Sequence, residues 1–371
     1  MCGAPMAGAY TRAVISGSVI AAGRDCASSD FICGLGDRLH HWLPGGPGDV
    51  AIAVIKVLLI ANFAMLNAAV MVFVWRRMMA RFQDRIGPNR VGVAGSMQVV
   101  ADGVKLLLKE IIVPRRADRA LFLLAPVVVV FPFVLAYSVI PFSPTGYAAD
   151  LSIGVLFVIA LSSLTFPGVF IAGWASNNKY AVIGAMRAVA QLLAFGVPLL
   201  LSVLGVILFA GSLSFTRVVT AQQHVWFVIP QAIGAGVFLV AAMAENAAHP
   251  FDLPEAESEI VAGYSTEYSG MAFGLFYLAE FGTTFTIGAI FTALFLGGYQ
   301  PLFGVTAIPP VIWFLAKAYL IYGILVWARF SLPRLRIDQF LSFGWKVLMP
   351  LGFLNLFVAA GELALFPNIT P

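Results

Sequence analysis

The chain has 371 residues, of which 60% are hydrophobic and 11% are charged. Ordinary soluble domains contain about 25% charged residues, so this composition, with a mean hydropathy of +0.93, excludes a soluble globular protein. The net charge is +4. Because the basic residues are concentrated in a few loops between apolar runs, this charge does not indicate nucleic-acid binding.

Eight apolar runs are long enough to cross the roughly 30 Å hydrocarbon core as helices, which takes about 20 residues each. The runs are almost continuously apolar, whereas the strands of a membrane barrel alternate apolar and polar residues. We therefore predict an all-α integral membrane protein with about eight transmembrane helices. The predicted spans are residues 50–75, 120–140, 152–173, 180–210, 225–244, 270–297, 307–328 and 347–366.

Residues 1–48 precede the first span, and we predict that they form a poorly ordered N-terminal extension to a membrane domain of residues 49–367. The extension holds all three cysteines, Cys2, Cys26 and Cys33. They form no C-x-x-C pair and have no histidine at ligand spacing, and the sequence has no Gly-rich phosphate loop. We therefore expect no metal and no redox cofactor on this chain itself.

The loops after the first and seventh spans hold most of the basic residues, whereas loops on the other side hold almost none apart from Arg217. Basic loops remain in the cytoplasm because they resist translocation. Odd-numbered loops are therefore predicted to be cytoplasmic, with both termini on the non-cytoplasmic side. The basic residues are Arg76, Arg77, Arg81, Arg85, Arg90, Lys105, Lys109, Arg115 and Arg116 in the first loop, and Arg329, Arg334 and Arg336 in the seventh.

Within the first loop, residues 97–110 place apolar side chains at helical spacing beside Asp102, Lys105, Lys109 and Glu110. This pattern is typical of an amphipathic helix in the cytoplasmic membrane interface. Such a helix either anchors the chain at the interface or offers a docking surface to a partner.

Residues 244–270, which we call the acidic loop, carry six carboxylates within 23 residues, with no Lys or Arg between them. Crowding and partial burial both raise the pKa of a carboxyl group, so such a cluster can hold protons near neutral pH. A charge run is more often a solvated surface, but here apolar residues and two prolines are interleaved with the acids, which indicates a packed loop. The six acids are Glu245, Asp252, Glu255, Glu257, Glu259 and Glu267.

Three charged residues fall inside predicted spans, where each costs about 2.5–3.5 kcal/mol on insertion and usually faces protein or water. They are Arg187, Glu280 and Lys317. For Glu280 and Lys317 two interpretations remain open: a buried ion pair that fixes helix packing, or a proton relay.

Six blocks of sequence follow one another in a characteristic order. They are Arg81 to Gly92 (RFQDRIGPNRVG), Ala101 to Glu110 (ADGVKLLLKE), Gly173 to Tyr180 (GWASNNKY), Pro250 to Gly263 (PFDLPEAESEIVAG), Thr266 to Gly270 (TEYSG) and Arg334 to Pro350. Over residues 70–355 the chain resembles the H subunit of respiratory NADH:quinone oxidoreductase (complex I), which corresponds to NADH dehydrogenase subunit 1 in mitochondria.

The resemblance implies a heel subunit that helps to form the quinone tunnel and couples quinone reduction to proton translocation, in a bacterial inner membrane. It implies quinone as substrate, membrane lipid and the other complex I subunits as partners, and NADH, FMN and iron–sulfur clusters on those partners. By position, the quinone-binding residues are Arg76, Arg77, Arg81, Phe251 and Asp252. The proton-path residues are Glu245, Glu255, Glu257, Glu259, Glu267, Glu280, Arg187 and Lys317.

The chain departs from the family pattern at three places. Trp75 stands where the family has a glutamate, Ala194-Phe195-Gly196 replaces a Ser-Tyr-Glu triplet, and Asn246-Ala247-Ala248 replaces Thr-Asn-Arg. Losing these charges together avoids leaving any one of them unpaired. We infer a divergent member whose proton path is weakened or rerouted.

Three other functions are compatible with parts of the sequence. The chain could be the membrane subunit of an energy-converting hydrogenase-like complex, although the GPNR and DLPEAESE blocks favour the quinone enzymes. It could be a structural anchor for a redox arm. A free-standing secondary transporter is less well supported, because such folds often contain internal repeats and none is found here.

Overall fold

A computed structural model describes residues 46–144, 146–147, 149–247, 250–255, 257–301 and 308–365, with the backbone alone at residues 46–53, 56, 257 and 258. The chain divides into two units, Met1–Ile55 and Lys56–Pro371. Apart from the start of the first helix at Gly46, the features below belong to the second unit. Since residues 1–45 lie outside the described part, the division into an extension and a membrane domain stays a prediction.

The described residues form thirteen α-helices and no β-strand, which confirms the all-α membrane class. The helices are α1 (Gly46–Phe82), α2 (Gln98–Leu108), α3 (Arg119–Ala136), α4 (Gly154–Ser163), α5 (Thr165–Ala175), α6 (Lys179–Ala210), α7 (Phe215–Ala221), α8 (Ala232–Glu245), α9 (Glu257–Ile260), α10 (Gly270–Phe295), α11 (Pro310–Ser331), α12 (Ile337–Phe343) and α13 (Met349–Leu365). Helix α2 confirms the predicted amphipathic element.

Local polar residues set several of these helix ends. Asp118 Oδ1 accepts hydrogen bonds from the backbone N–H groups of Ala120 (3.1 Å) and Leu121 at the start of α3. Asn178 Oδ1 accepts one from Tyr180 at the start of α6. Side chains of this kind bond the first N–H groups of a helix, which have no partner within it. The sequence therefore fixes where both spans begin.

Seven segments of the described chain are long and apolar enough to cross a membrane. They are Val57–Phe82, Arg119–Ala136, Gly154–Ala175, Lys179–Ala210, Gly270–Phe295, Pro310–Ser331 and Ile337–Leu365. The third consists of α4 and α5, interrupted at Leu164, and the seventh consists of α12, a π-helical turn and α13. Each matches a predicted span to within several residues, with two larger differences. The first ends at Phe82 instead of residue 75, and the last begins at Ile337 instead of residue 347.

The prediction of an eighth full span at residues 225–244 is wrong in its length. Helix α8 has 14 residues, which at 1.5 Å per residue gives about 21 Å, less than the roughly 30 Å of hydrocarbon. The flanking residues of the run are taken up by turns, because Val228 N donates to Phe295 O at 3.0 Å and so lies beside the end of α10. Apolar composition alone did not reveal this.

Helix α8 ends inside the bundle. Asn246, which follows it, donates from Nδ2 to Glu280 O at 3.3 Å, and Glu280 is ten residues, or about 15 Å, from the start of α10. The acidic loop therefore begins well below the end of the bundle. Non-helical backbone at membrane depth requires burial in protein or a polar cavity, and both occur here.

The loops that the sequence assigns to one side of the membrane do meet at one end of the bundle. Ile112 N donates to Ser269 Oγ at 3.1 Å, and Asn177 Nδ2 donates to Arg116 O at 3.1 Å. We call this the acidic-loop end. Which side of the membrane it faces stays a prediction.

The remaining described loops meet at the opposite end. Val155 N donates to Leu213 O at 2.9 Å, and Gly297 N donates to Gln222 Oε1 at 2.9 Å. Between the two ends, α6 packs against α5, α8 and α13, while α10 packs against α3 and α11. The interior between α6 and α10 is where the acidic loop enters.

Candidate functional site

Three carboxylates line one buried cavity of about 60 Å³. They belong to Glu245 at the end of α8, Glu255 of the acidic loop and Glu280 of α10. The cavity, which we call the acidic cavity, is also bounded by residues of α3, α5 and α6. The sequence placed two of these acids in the acidic loop and one in a span, and only the fold brings them together.

Glu245 also contacts a hydroxyl group of α4. Its Oε1 lies 2.9 Å from Ser162 Oγ, which belongs to α4 and also donates to Ile159 O at 2.8 Å. This hydroxyl gives the carboxyl group a polar partner, and it can accept a hydrogen bond as well as donate one. No sequence pattern marked Ser162.

Glu280 forms an ion pair with Arg329 of α11, whose Nη1 lies 2.6 Å from Glu280 Oε1. The two side chains are 17% and 18% exposed, so the pair is nearly buried. The hypothesis of an ion pair between Glu280 and Lys317 is therefore wrong. In the sequence, Arg329 counted only as one of the basic loop residues that predict how the chain is oriented in the membrane.

Glu255 is the group whose protonation the cavity perturbs most clearly among the loop residues. Burial, followed by the charge of Glu280, raises its pKa to about 8, and Asp252 adds to this, while a hydrogen bond with Tyr264 and the charge of Arg329 act in the opposite direction. Glu255 therefore holds a proton at neutral pH. Burial and the carboxylate of Glu255 raise the pKa of Tyr264 well above its usual value, so this hydroxyl remains a hydrogen-bond donor.

Two acids of the loop are paired with arginines from distant parts of the chain. Arg187 Nη1 lies 2.5 Å from Glu259 Oε2, and Arg334 Nη2 lies 3.2 Å from Asp252 Oδ2. The expectation of six mutually repelling carboxylates is therefore corrected. Arg187 belongs to α6 and Arg334 to the loop after α11. Both lie far from the acidic loop in sequence, so sequence proximity did not predict these pairs.

Glu267 and Glu257 are the other two acids of the loop. Glu267 accepts a hydrogen bond of 2.7 Å from Asn178 Nδ2, which ties the end of the acidic loop to the start of α6. It does not line the acidic cavity. The side chain of Glu257 lies outside the described residues.

Gln191 of α6 holds the acidic loop at both of its inner ends. Its side chain is fully buried, and Nε2 donates to the carbonyls of Ala244 and Phe251. A neutral side chain that bonds two otherwise open carbonyls satisfies the backbone where the loop leaves the helix. Its signal in the sequence was a polar residue in the middle of a 32-residue apolar helix.

The loop also approaches α6 through backbone contacts that only glycine permits. A Cβ on Gly263, which has φ +56°, would lie 1.7 Å from Pro254 O. A Cβ on Gly184 of α6 would lie 2.7 Å from the same oxygen and 2.9 Å from Tyr264 N. These glycines set the depth at which Glu255 enters the bundle.

The predicted quinone-binding residues form two groups. Arg76 is ion-paired with Asp102 of α2, Arg77 donates to Ala94 O, and Arg77 and Arg81 line an open pocket of about 380 Å³. All three arginines belong to the acidic-loop end.

Phe251 and Asp252 form the second group, on the acidic loop. The Phe251 ring packs against Phe195 (6.0 Å between centroids) and Phe340 (5.3 Å).

Tyr277 of α10 lies within electrostatic range of both Arg76 and Glu280. It is therefore close to both the basic group and the acidic cavity.

Lys317 lies away from the acidic cavity. Its Nζ donates to the carbonyls of Leu296, Gly298 and Gln300 at 2.7–3.0 Å, and it lies 4.4 Å from the centre of the Trp226 ring. Along α10 this position is about 24 Å from Glu280. A cation at the last carbonyls of a helix is stabilised by their dipoles, so Lys317 closes the end of α10.

The positions that depart from the family pattern have contrasting surroundings. Trp75 packs edge-on against Phe281 (5.2 Å) and lies over Arg329, whose Cζ is 5.5 Å from the ring centre. A Cβ at Gly196 would contact only Leu192, at 3.6 Å. A Cβ at Gly196 therefore meets no close contact. Among the described residues no group of three or more His, Cys, Asp or Glu side chains could hold a metal ion.

Comparison with known proteins identifies the family. The model of the NADH dehydrogenase family matches residues 55–360. A protein of Dehalococcoides mccartyi (strain CBDB1), named as the H subunit of NADH-quinone oxidoreductase, is 49% identical over 316 residues, which are 84% of this chain and 88% of that relative. The chain belongs to this family.

Further members of the family agree. Proteins with the same name from Anoxybacillus flavithermus (strain DSM 21510 / WK1) and Bacillus thuringiensis (strain Al Hakam) are 50% and 48% identical over 286 residues, which are 77% of this chain and 86% of each relative. The resemblance drawn from six sequence blocks is thus confirmed. These relatives do not favour a hydrogenase-like subunit, a transporter or a bare anchor.

Proposed function

We propose that this chain is the membrane-arm heel subunit of a proton-translocating NADH:quinone oxidoreductase, and that the acidic cavity takes up and releases protons in step with quinone reduction. The observation that carries the proposal is the convergence of Glu245, Glu255 and Glu280 on one buried cavity. Among the described residues Glu280 forms an ion pair there, with Arg329, and Glu245 and Glu255 form none. Two of the three acids are therefore free to exchange protons.

Glu255 has the properties of a proton carrier that responds to nearby charge. A unit charge that appears about 8 Å away changes its energy by about 2 kcal/mol at an effective dielectric constant of 20, which moves a pKa by about 1.5 units. Since the pKa of Glu255 is raised to about 8, a shift of this size changes its protonation at physiological pH. Charge changes during quinone chemistry next to the loop would act in this way.

The residues proposed on the quinone side are Arg76, Arg77, Arg81, Phe251 and Asp252. The open pocket lined by Arg77 and Arg81 and the closeness of Tyr277 to both Arg76 and Glu280 support a route from this surface to the acidic cavity. The chain itself supplies no redox group. Quinone is the substrate, membrane lipid and the other complex I subunits are the partners, and NADH, FMN and iron–sulfur clusters belong to those subunits.

For the proton path we propose Glu245, Glu255 and Glu280 as its centre, with Glu257, Glu259, Glu267 and Arg187 at its approach from the loop. Lys317, which bonds three carbonyls about 24 Å away along α10, has the weakest support. We propose that the bound proton leaves by a weakened or rerouted path, since α6 offers Gly196 where the family has a glutamate.

The Glu255→Gln variant of the assembled complex, reconstituted in vesicles, tests the proposed function. Proton uptake per NADH oxidised and quinone turnover are measured together. We expect proton translocation to fall by at least about tenfold, because a positioned proton carrier typically contributes a factor of 10² or more. Asp150→Asn is the matched control, because Asp150 lies outside the proposed proton path and its amide oxygen can still accept from Ser214 and Thr216, so this variant should remain close to wild type. Equal behaviour of the two variants would overturn the proposal and leave a structural anchor.

The rerouted path is tested separately by Gly196→Glu. A Cβ at Gly196 would contact only Leu192, at 3.6 Å, so we expect assembly to be retained. If the missing acid weakens the path, the variant raises the number of protons moved per electron. Unchanged proton stoichiometry and unchanged quinone turnover would remove the main support for rerouting.

A further inference from the structure

Arg329 is held from two sides. Its guanidinium bonds Glu280 Oε1 at 2.6 Å, and the indole ring of Trp75 covers it from α1, with 5.5 Å between Cζ and the ring centre. A cation over an aromatic face is attracted by the ring quadrupole, and most strongly by tryptophan. Trp75 thus supplies the second surface that determines where this cation lies.

The packing around Trp75 restricts Arg329 on the side that the indole covers. The ring contacts Phe281 at 5.2 Å and Phe330 at 5.8 Å between centroids. The cavity between Trp75, Arg329 and Asn246 measures about 10 Å³, close to the space of one water molecule. A guanidinium group does not fit into a space of that size, so the indole limits how far Arg329 can move on this side.

Two other carboxylates lie close enough to Arg329 to feel its charge. Asp252 and Glu255 both interact with it electrostatically. The distribution of its charge among these acids and Glu280 therefore decides which carboxyl group of the acidic cavity holds a proton.

We propose that Trp75 is a positioning residue of the acidic cavity: its indole face keeps the Arg329 guanidinium on Glu280, so that the cation does not neutralise Glu255. The proposal rests on the proposed function. The other titratable and charged groups that face this cluster are Asp252, Tyr264, Tyr277, Tyr322 and Arg76.

The experiment compares Trp75→Phe with Trp75→Leu and Trp75→Met in the assembled complex. Trp75 Nε1 has no hydrogen-bond partner among the described residues, so Phe, which keeps an aromatic face and lacks the N–H, should behave nearly as wild type. Leu and Met remove the aromatic face, and Arg329 then shares its charge with Glu255. A nearer cation lowers the pKa of a carboxyl group, so protonated Glu255 is lost at lower pH.

The expected result is an alkaline limb of the pH–turnover profile about one unit lower in the Leu and Met variants than in Trp75→Phe, the size expected for a desolvated cation–π contact. A purely structural role would lower the melting temperature of the complex and leave the limb in place. Coincident limbs in the three variants would overturn the proposal.

A second readout separates this proposal from the proposed function. The infrared band of protonated carboxyl groups is titrated in the resting complex, with Glu255→Gln to assign the contribution of Glu255. If Glu255→Gln abolishes translocation but the band titrates alike in Trp75→Phe and Trp75→Leu, only the role of Trp75 fails. If Glu255→Gln leaves translocation intact, the proposed function fails, and the infrared titration still decides whether Trp75 sets the protonation of Glu255.

Discussion

Gly184 offers the sharpest test of how the acidic loop is seated. A Cβ at this position would lie 2.7 Å from Pro254 O and 2.9 Å from both Gly263 Cα and Tyr264 N. These distances are at least about 0.5 Å shorter than ordinary van der Waals contact, and all three atoms belong to backbone. Gly184→Ala therefore cannot be accommodated by a side-chain rotation and must push the acidic loop away from α6.

The size of the effect follows from two opposing contributions. Replacing glycine by alanine inside a helix gains about 1 kcal/mol, and inserting a methyl group into a closed contact costs about 1–3 kcal/mol. Gly196→Ala is the matched control, because it lies in the same helix and its Cβ would meet only Leu192, at 3.6 Å. The control keeps the helix gain without the clash, so the two variants should differ by about 1–3 kcal/mol.

The assay is thermal unfolding of the purified complex carrying either variant, combined with proton translocation in vesicles. We expect Gly184→Ala to melt several degrees below Gly196→Ala and to lose translocation, because the displaced loop carries Glu255 out of the acidic cavity. Equal melting temperatures and equal translocation would refute the close approach of the loop to α6.

Three further outcomes follow from the same geometry. Arg329→Met alone should lower the stability of the complex by about 3 kcal/mol, because it leaves Glu280 buried without its cation. In a double-mutant cycle of melting temperatures, adding Glu280→Gln should recover most of that loss. Additive effects of the two substitutions would contradict the ion pair. The pKa of Glu255 rises from 4.5 to about 8 on folding, so the folded state binds a proton that the unfolded state has released. Stability therefore falls as pH rises from about 4.5 to about 8, and Glu255→Gln should flatten the dependence of melting temperature on pH in that window. Lys317→Met should lower the melting temperature through loss of three bonds to carbonyls and leave the pH–turnover profile unchanged; a shifted profile would return Lys317 to the proton path.

Much of the fold could be read from local patterns. Continuous apolar runs located seven spans, since any chain that crosses hydrocarbon must bury its backbone groups in helices. The amphipathic pattern at residues 97–110 gave the helix Gln98–Leu108. The capping residues Asp118 and Asn178 mark the starts of α3 and α6. Each of these signals depends only on residues close together in the sequence.

The interior of the acidic cavity could not be read in this way. The composition of the acidic loop identified Glu245 and Glu255 as candidate proton carriers. Ser162, Arg329 and Gln191 carried no signal in the sequence that linked them to these acids. Their contacts with the loop residues join positions far apart in the chain, as in the 83-residue separation of Ser162 and Glu245. Sequence spacing says nothing about such pairs, because they depend on how whole helices pack.

The acidic loop shows where the two sources of information divide. Its amino-acid sequence was enough to establish that six carboxylates lie in one stretch, that apolar residues are interleaved with them, and that the chain is solvated by lipid. Their chemistry depended on the packing of the bundle: Arg187 neutralises Glu259, Glu267 bonds Asn178, and Glu255 remains without an ion-pair partner among the described residues. A carboxyl group responds to the charges and burial around it within a few ångströms, and in a folded helical bundle most of those neighbours come from distant parts of the chain.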